Sequence, residues 1–145
     1  MKDDAAIIDS NILVYAYDET EKNKHLAAKA LIYDIIKKDK HFVLSVQNIS
    51  EFFFIITEKL KMDKEVAEYL VKNYAKLESG KILGINPNSV IRAMDISREY
   101  NIHYWDALIA AVMEENGIKR IYTENVKDFS KVPWIEVINP LIQNS

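Results

Sequence analysis

The apolar positions of this chain fall into short blocks of two kinds. Residues 5–9 (AAIID) form a brief unbroken apolar run, the pattern of a strand buried on both faces. Residues 25–38 (HLAAKALIYDIIKK) instead space their apolar side chains at helical intervals and end in lysines, which suit the negative end of a helix dipole. Between them, residues 11–17 (NILVYAY) fit either a continued strand or a helix, and periodicity does not decide. Residues 42–44 predict a second strand. Ser45 is placed to cap a helix over 46–61, and Asp63 to cap another over 64–77, which Ser79-Gly80 ends. Residues 81–85 predict a third strand, closed by Asn86-Pro87-Asn88. Helices follow over 89–100 and over 104–116, the latter almost wholly apolar and stopped by Gly117. Residues 120–123 and 134–138 supply a fourth and a fifth strand.

Strands joined by helices imply right-handed crossovers and a mainly parallel sheet. The expected fold is therefore α/β, a three-layer α/β/α sandwich. Its length of 145 residues suits one domain over 1–145. With only three Gly and three Pro, long regular elements and short loops are expected. In such sheets active sites lie beyond the carboxyl ends of the strands.

Composition narrows the classes. There is no cysteine, which excludes disulfides and thiolate metal sites and agrees with an intracellular setting. The N-terminal MKDDAAIID carries acids where a secretory leader would be apolar, and the densest run, FFFII, is far too short to span a bilayer. A soluble, cytoplasmic protein with no membrane partner is expected. The formal net charge of −3 gives no long-range attraction for a polyanion, although metal ions in an acidic site recruit phosphates locally.

The strand-end rule directs attention to particular acids. Asp9 closes the first strand, and Asn11 follows it in DSN. A dehalogenase-like phosphatase would want a second Asp at Asn11. Glu51 lies on a helix beside Phe52, Phe53, Phe54, Ile55 and Ile56, where a carboxylate is costly unless paired or metal-bound. Asp106 falls in the first turn of the apolar helix. Thr123, Glu124, Asn125 and Asp128 follow the fourth strand. Each also has a structural reading: a turn for Asp9, a helix edge for Glu51, a dipole-favoured acid for Asp106, a surface loop for the last group. His25, His41 and His103 lack paired metal-ligand spacing, Ser10 and Ser45 have no evident base, and no Gly-rich phosphate loop exists.

Taken together, the segments IIDSNILVYAYD, SVQNISEFFFII, YNIHYWDALIAAVMEENG and IKRIYTENVKDF span nearly the whole chain. Their ordered set resembles PIN-domain proteins, most of all the VapC-type ribonuclease toxins of toxin–antitoxin pairs. WDALIAA followed by TENVKDF carries the strongest part of the likeness. The resemblance implies an acidic core of Asp9, Glu51 and Asp106, with support from Asn11 and Thr123. Many relatives place an Asp where this chain has Asn125, while others rely on the acid at Asp128. Here Asp128 is the expected outer carboxylate, with Asn125 nearby and Glu124 a third candidate. The implied activity is Mg²⁺- or Mn²⁺-dependent endoribonucleolytic cleavage of RNA, leaving 3′-hydroxyl and 5′-phosphate ends. An antitoxin docking near the acidic rim and a homodimer are implied as partners. Two other readings compete: a PIN-like binding module with weakened catalysis, and a receiver-like signalling domain. The second wants Thr and Lys partners at other strand ends that the sequence does not offer in order.

Overall fold

Strands of three or four residues suffice when both of their faces are covered, because every side chain then contributes to a core. The computed structural model describes residues 5–37, 41–77 and 80–142. Five strands form one all-parallel sheet in the order β3-β2-β1-β4-β5: β1 (Ala6–Ile8), β2 (Phe42–Ser45), β3 (Gly80–Leu83), β4 (Arg120–Tyr122) and β5 (Glu136–Ile138). β1 and β2 are buried at every position.

Alternation along the strands divides the interior into two cores. Ile7, Val43 and Ile121 pack with residues of α5 (Pro87–Tyr100) and α6 (Tyr104–Glu115). Ile8, Phe42 and Leu44 pack instead with α1 (Ser10–Tyr15), α2 (Lys22–Lys37), α3 (Val46–Glu58) and α4 (Lys64–Lys76). The expected three layers are thus present, with a mainly parallel sheet that is in fact wholly parallel. A short α7 (Val126–Phe129) sits between β4 and β5. Among the described residues no helix is long and apolar enough to cross a membrane.

Several element limits differ from the sequence expectation for local reasons. The undecided stretch after β1 is helical, because the Asp9 side chain accepts the Ser10 amide and caps α1. Asn86-Pro87-Asn88, read as the close of a strand, starts α5 instead. Asn86 caps it through a reciprocal bond with Ser89, and Pro87 fills a first-turn position where a missing N–H costs nothing. α7 was not anticipated; four residues are too few for periodicity to register. The fourth strand stops at Tyr122, one residue before Thr123, and the fifth begins at Glu136 instead of Trp134. The expectations resting on residues 1–4, Lys38 and Ser79 lie outside the described residues.

Ser45 caps α3 as expected, and does so in a closed box. Its Oγ accepts the Asn48 amide at 3.0 Å, while the Asn48 carboxamide oxygen accepts the Ser45 amide at 3.3 Å. Both residues are fully buried. Ser45→Ala should therefore lower stability by about 1–2 kcal/mol, the upper part of the range for a lost cap, measurable as a reduced urea midpoint at unchanged slope.

The strand order has a consequence for function. From β1 the chain moves outward on one side through β2 to β3, then crosses the sheet and returns as β4 on the opposite flank of β1. The crevice of such a sheet opens where the order reverses, beyond the carboxyl ends of β1 and β4. The first residues past those ends are Asp9 and Thr123.

Candidate active site

Asp9 is the most constrained residue of the crevice. It is 6% exposed. One carboxylate oxygen accepts the Ser10 amide at 2.8 Å and the Asn48 side-chain amide at 3.5 Å. The other accepts the Thr123 hydroxyl at 2.7 Å and the Asn11 side-chain amide at 3.4 Å. Burial nevertheless holds its pKa above the ordinary carboxylate value. The bonds from Thr123 and Ser10 oppose that shift, and the neighbouring Glu51 charge adds to it.

Glu51 arrives from one turn into α3. Its two oxygens accept the Ser10 hydroxyl and the Gln47 side-chain amide, each at 3.0 Å. Gln47 precedes Glu51 by four residues on the same helix face. The same Gln47 nitrogen also donates to the Trp105 carbonyl at 3.0 Å, tying α3 to the first turn of α6.

Asp106 stands next to Trp105 in that turn. Its pKa is pushed up to about 6, first by burial, then by the negative charges of Asp9 and Asp128, with His103 opposing weakly. The Asn125 side-chain amide donates to Asp106 at 2.8 Å and to Asp128 at 3.3 Å. The Asn125 backbone N–H donates to the Thr123 hydroxyl at 3.0 Å. A continuous chain of hydrogen bonds therefore runs from Asp9 through Thr123 and Asn125 to Asp106 and Asp128.

The structure thus brings Asp9, Asn11, Glu51, Asp106 and Asn125 to the wall of one cavity of about 350 Å³. Thr123 lies behind it, beneath Asp9. Asp128 is held by side-chain hydrogen bonds to Asp106 and Asn125 and lies 3.7 Å from Lys131. Glu124 turns elsewhere: its carboxylate pairs with Lys24 at 2.6 Å and accepts the Tyr15 hydroxyl at 2.9 Å. Neither Glu124 nor Asp128 lines the cavity.

Sequence reasoning did not single out Gln47, Asn48, Trp105 or Lys59 at this site. Among the described residues Lys59 is the one basic residue lining the cavity. Gln47 and Asn48 had a signal in their positions four and three residues before Glu51. Lys59 had none, since only the tertiary fold turns the end of α3 toward Asp9.

Among the described residues no three His, Asp or Glu side chains are grouped to hold an ion unaided. The donor set is nonetheless all oxygen, and burial together with the repulsion of neighbouring carboxylates pushes the Asp106 pKa up to about 6. That chemistry fits Mg²⁺ or Mn²⁺, which take one or two carboxylates and complete their shell with water and substrate phosphate.

The family model described as PIN domain matches residues 6–135 of the chain. No curated protein sequence matches it. Among solved structures, the chain is similar to FitAB bound to a DNA fragment, at 18% identity and a TM-score of 0.74, covering 97% of this chain and 98% of that one. It is similar to a toxin–antitoxin complex from Klebsiella pneumoniae at 19% identity and a TM-score of 0.65, over 93% and 97% of the two chains. It is also similar to Mycobacterium tuberculosis VapC20, a toxin that cleaves the sarcin–ricin loop, at 13% identity and a TM-score of 0.67, over 88% and 95%. At these identities the likeness is one of fold.

Proposed function

Because the chain belongs to the PIN domain family, we infer that it is a divalent-metal-dependent endoribonuclease, folded as one domain and acting as the toxin of a toxin–antitoxin pair. The observation that carries this reading is the convergence of Asp9 and Asp106, 97 residues apart in the chain, on one crevice where each raises the other's cost of ionising and where, among the described residues, Lys59 is the one basic side chain of the wall. The solved neighbours include toxin–antitoxin complexes, which supports an antitoxin as partner. A homodimer and a cytoplasmic location follow from the same reading.

Asp9 and Asp106 are the residues that would hold Mg²⁺ or Mn²⁺. When bound, such an ion polarises the phosphoryl oxygen and lowers the pKa of water. The protein side of the chemistry is positional. Thr123, Ser10, Asn11 and Asn48 hold both oxygens of Asp9 in one orientation, and the two long bonds, from Asn11 at 3.4 Å and Asn48 at 3.5 Å, are the ones an ion would displace. Ser10 and Gln47 fix Glu51, which is placed to accept a proton from an attacking water. Lys59 offers the phosphate a positive contact within the cavity. Asn125 holds Asp106 and Asp128 together without adding a charge of its own, leaving Asp128 an outer role through water.

The direct test is cleavage of a mixed-sequence RNA with Mg²⁺ or Mn²⁺ and with excess chelator. Metal-dependent cleavage giving 5′-phosphate ends is expected. RNA binding without any cleavage would favour the weakened binding module, and phosphate uptake from a small phosphodonor the receiver-like domain.

Asn125→Asp probes the departure from the commonest family pattern. A third carboxylate between Asp106 and Asp128 replaces a donor by a like charge. The metal-free protein should melt lower by about 4 °C, the shift that ~1 kcal/mol produces in a domain of this size, while Mn²⁺ should raise its melting temperature by more than it raises the parent's. An unchanged metal response in differential scanning fluorimetry would count against this role for Asn125.

A further inference from the structure

Trp105 is unusual for its place. It is 61% exposed, although it sits beside the buried part of the crevice. Trp105 lines both the acidic cavity and a second cavity of about 580 Å³. The second cavity is lined by Val46, Ile85 and Leu108 with Ser50, Gln47 and Glu51. Gln47, Glu51 and Trp105 are common to both, so the two spaces adjoin.

The backbone of Trp105 is anchored. Gln47, 8% exposed, donates to the Trp105 backbone carbonyl and to the Glu51 carboxylate with one amide nitrogen. The Tyr104 and Trp105 rings pack edge-to-face, with centroids 5.2 Å apart. A large, exposed aromatic side chain thus stands one residue from Asp106.

We propose that the Trp105 indole and the apolar cavity beyond it form a nucleobase subsite for the nucleotide next to the scissile phosphate of a single-stranded RNA. The inference rests on the ribonuclease reading and deepens it. Three features converge on this occupant. The cavity adjoins the phosphate-handling site through three shared lining residues, so a chain whose phosphate lies at Asp9 and Asp106 can place its neighbouring base against Trp105. Its walls are apolar with a few fixed polar groups, the make-up that holds a flat heterocycle and leaves hydrogen-bonding edges addressable by Ser50 and Gln47. Lys59 lines the acidic cavity but not the apolar one, and suits a neighbouring phosphate.

The test separates binding from cleavage. In an Asp9→Asn background, a fluorescent mixed-sequence ten-nucleotide single-stranded RNA is titrated in Mn²⁺. Trp105→Ala should weaken binding roughly ten- to a hundredfold, the loss expected for one base stacked on an aromatic side chain. Trp105→Phe should restore most of it. With cleavable RNA, Trp105→Ala should raise KM far more than it lowers kcat, and an abasic residue beside the cleaved bond should abolish the difference between parent and variant. Equal affinity of parent and Trp105→Ala, with cleavage intact, would overturn the subsite and leave the ribonuclease reading standing. A change of sedimentation from dimer to monomer in Trp105→Ala, at unchanged affinity per site, would overturn it in favour of a contact between copies of this chain. No RNA binding or cleavage by the parent would overturn both.

Discussion

Asp106→Asn is expected to abolish metal-dependent RNA cleavage and, in the same protein, to make the metal-free fold more stable. Removing one of the carboxylates that line the cavity should cost roughly 10²–10³-fold in rate or more, the scale of losing a preorganised charge at a phosphoryl centre. The stability gain has a separate cause. Asp106 is partly buried between Asp9 and Asp128, and its raised pKa measures how poorly that place tolerates a charge. An asparagine oxygen can still accept the 2.8 Å bond from Asn125, so the network survives while the repulsion goes. Asp9→Asn should lose activity as fully but without the gain. Four donors converge on the two Asp9 oxygens, and an amide offers only one oxygen to them. The N-cap itself tolerates Asn as well as Asp. Cleavage assays beside thermal melts in chelator check both halves. Full activity in Asp106→Asn would remove the catalytic reading, and a lowered metal-free melting temperature would remove the electrostatic one.

Affinity for Mn²⁺ is expected to rise about tenfold between pH 5 and 7 through Asp106 alone, since a group titrating near 6 goes from about one-tenth to nine-tenths ionised across that range. The sign for the metal-free protein is the reverse. Below about pH 4 Asp106 is protonated in the folded and unfolded chains alike. As the pH rises through about 6, the folded chain must give up a proton that the unfolded chain lost earlier, so the stability this group contributes at acid pH is lost. Burial gives Asp9 a shift in the same direction. Metal-free protein should therefore lose stability from this site on going from pH 5 to 7, while the increment conferred by Mn²⁺ grows. Isothermal titration in two buffers of different ionisation enthalpy would count the protons released. A flat affinity across the range, with no proton release, would show that Asp106 is not a ligand.

The elements were legible where a residue's neighbours in sequence are also its neighbours in space. AAIID announced a doubly covered strand, and Ser45 announced its own cap. A mainly parallel sheet followed from strand–helix alternation, but the order β3-β2-β1-β4-β5 did not, because pairing between β1 and β4 joins segments more than a hundred residues apart. At the site, Asp9, Glu51 and Asp106 were nameable from strand-end position and from acids set among apolar residues. Their mutual arrangement was not. Nothing local says that Asn125 bridges two acids, that Glu124 turns away toward Lys24, or that Lys59 joins the wall of the cavity. Those facts come from side chains reaching across elements, which hydrophobic periodicity does not encode.

The pairing of β1 with β4 also sets a clock. The Thr123 hydroxyl that holds Asp9 lies 114 residues further along the chain, and Asp106 comes with it from the far half. A ribosome making this protein exposes Asp9 and Glu51 long before either partner exists. The first half can collapse around α1 to α4 as it emerges, yet the carboxylate pair cannot assemble until β4 has left the exit tunnel and found β1. At about 5–20 residues per second of synthesis, several seconds separate the first acid from the last. Whatever chemistry the carboxylates perform, a growing chain of this design cannot perform it until the chain is nearly complete.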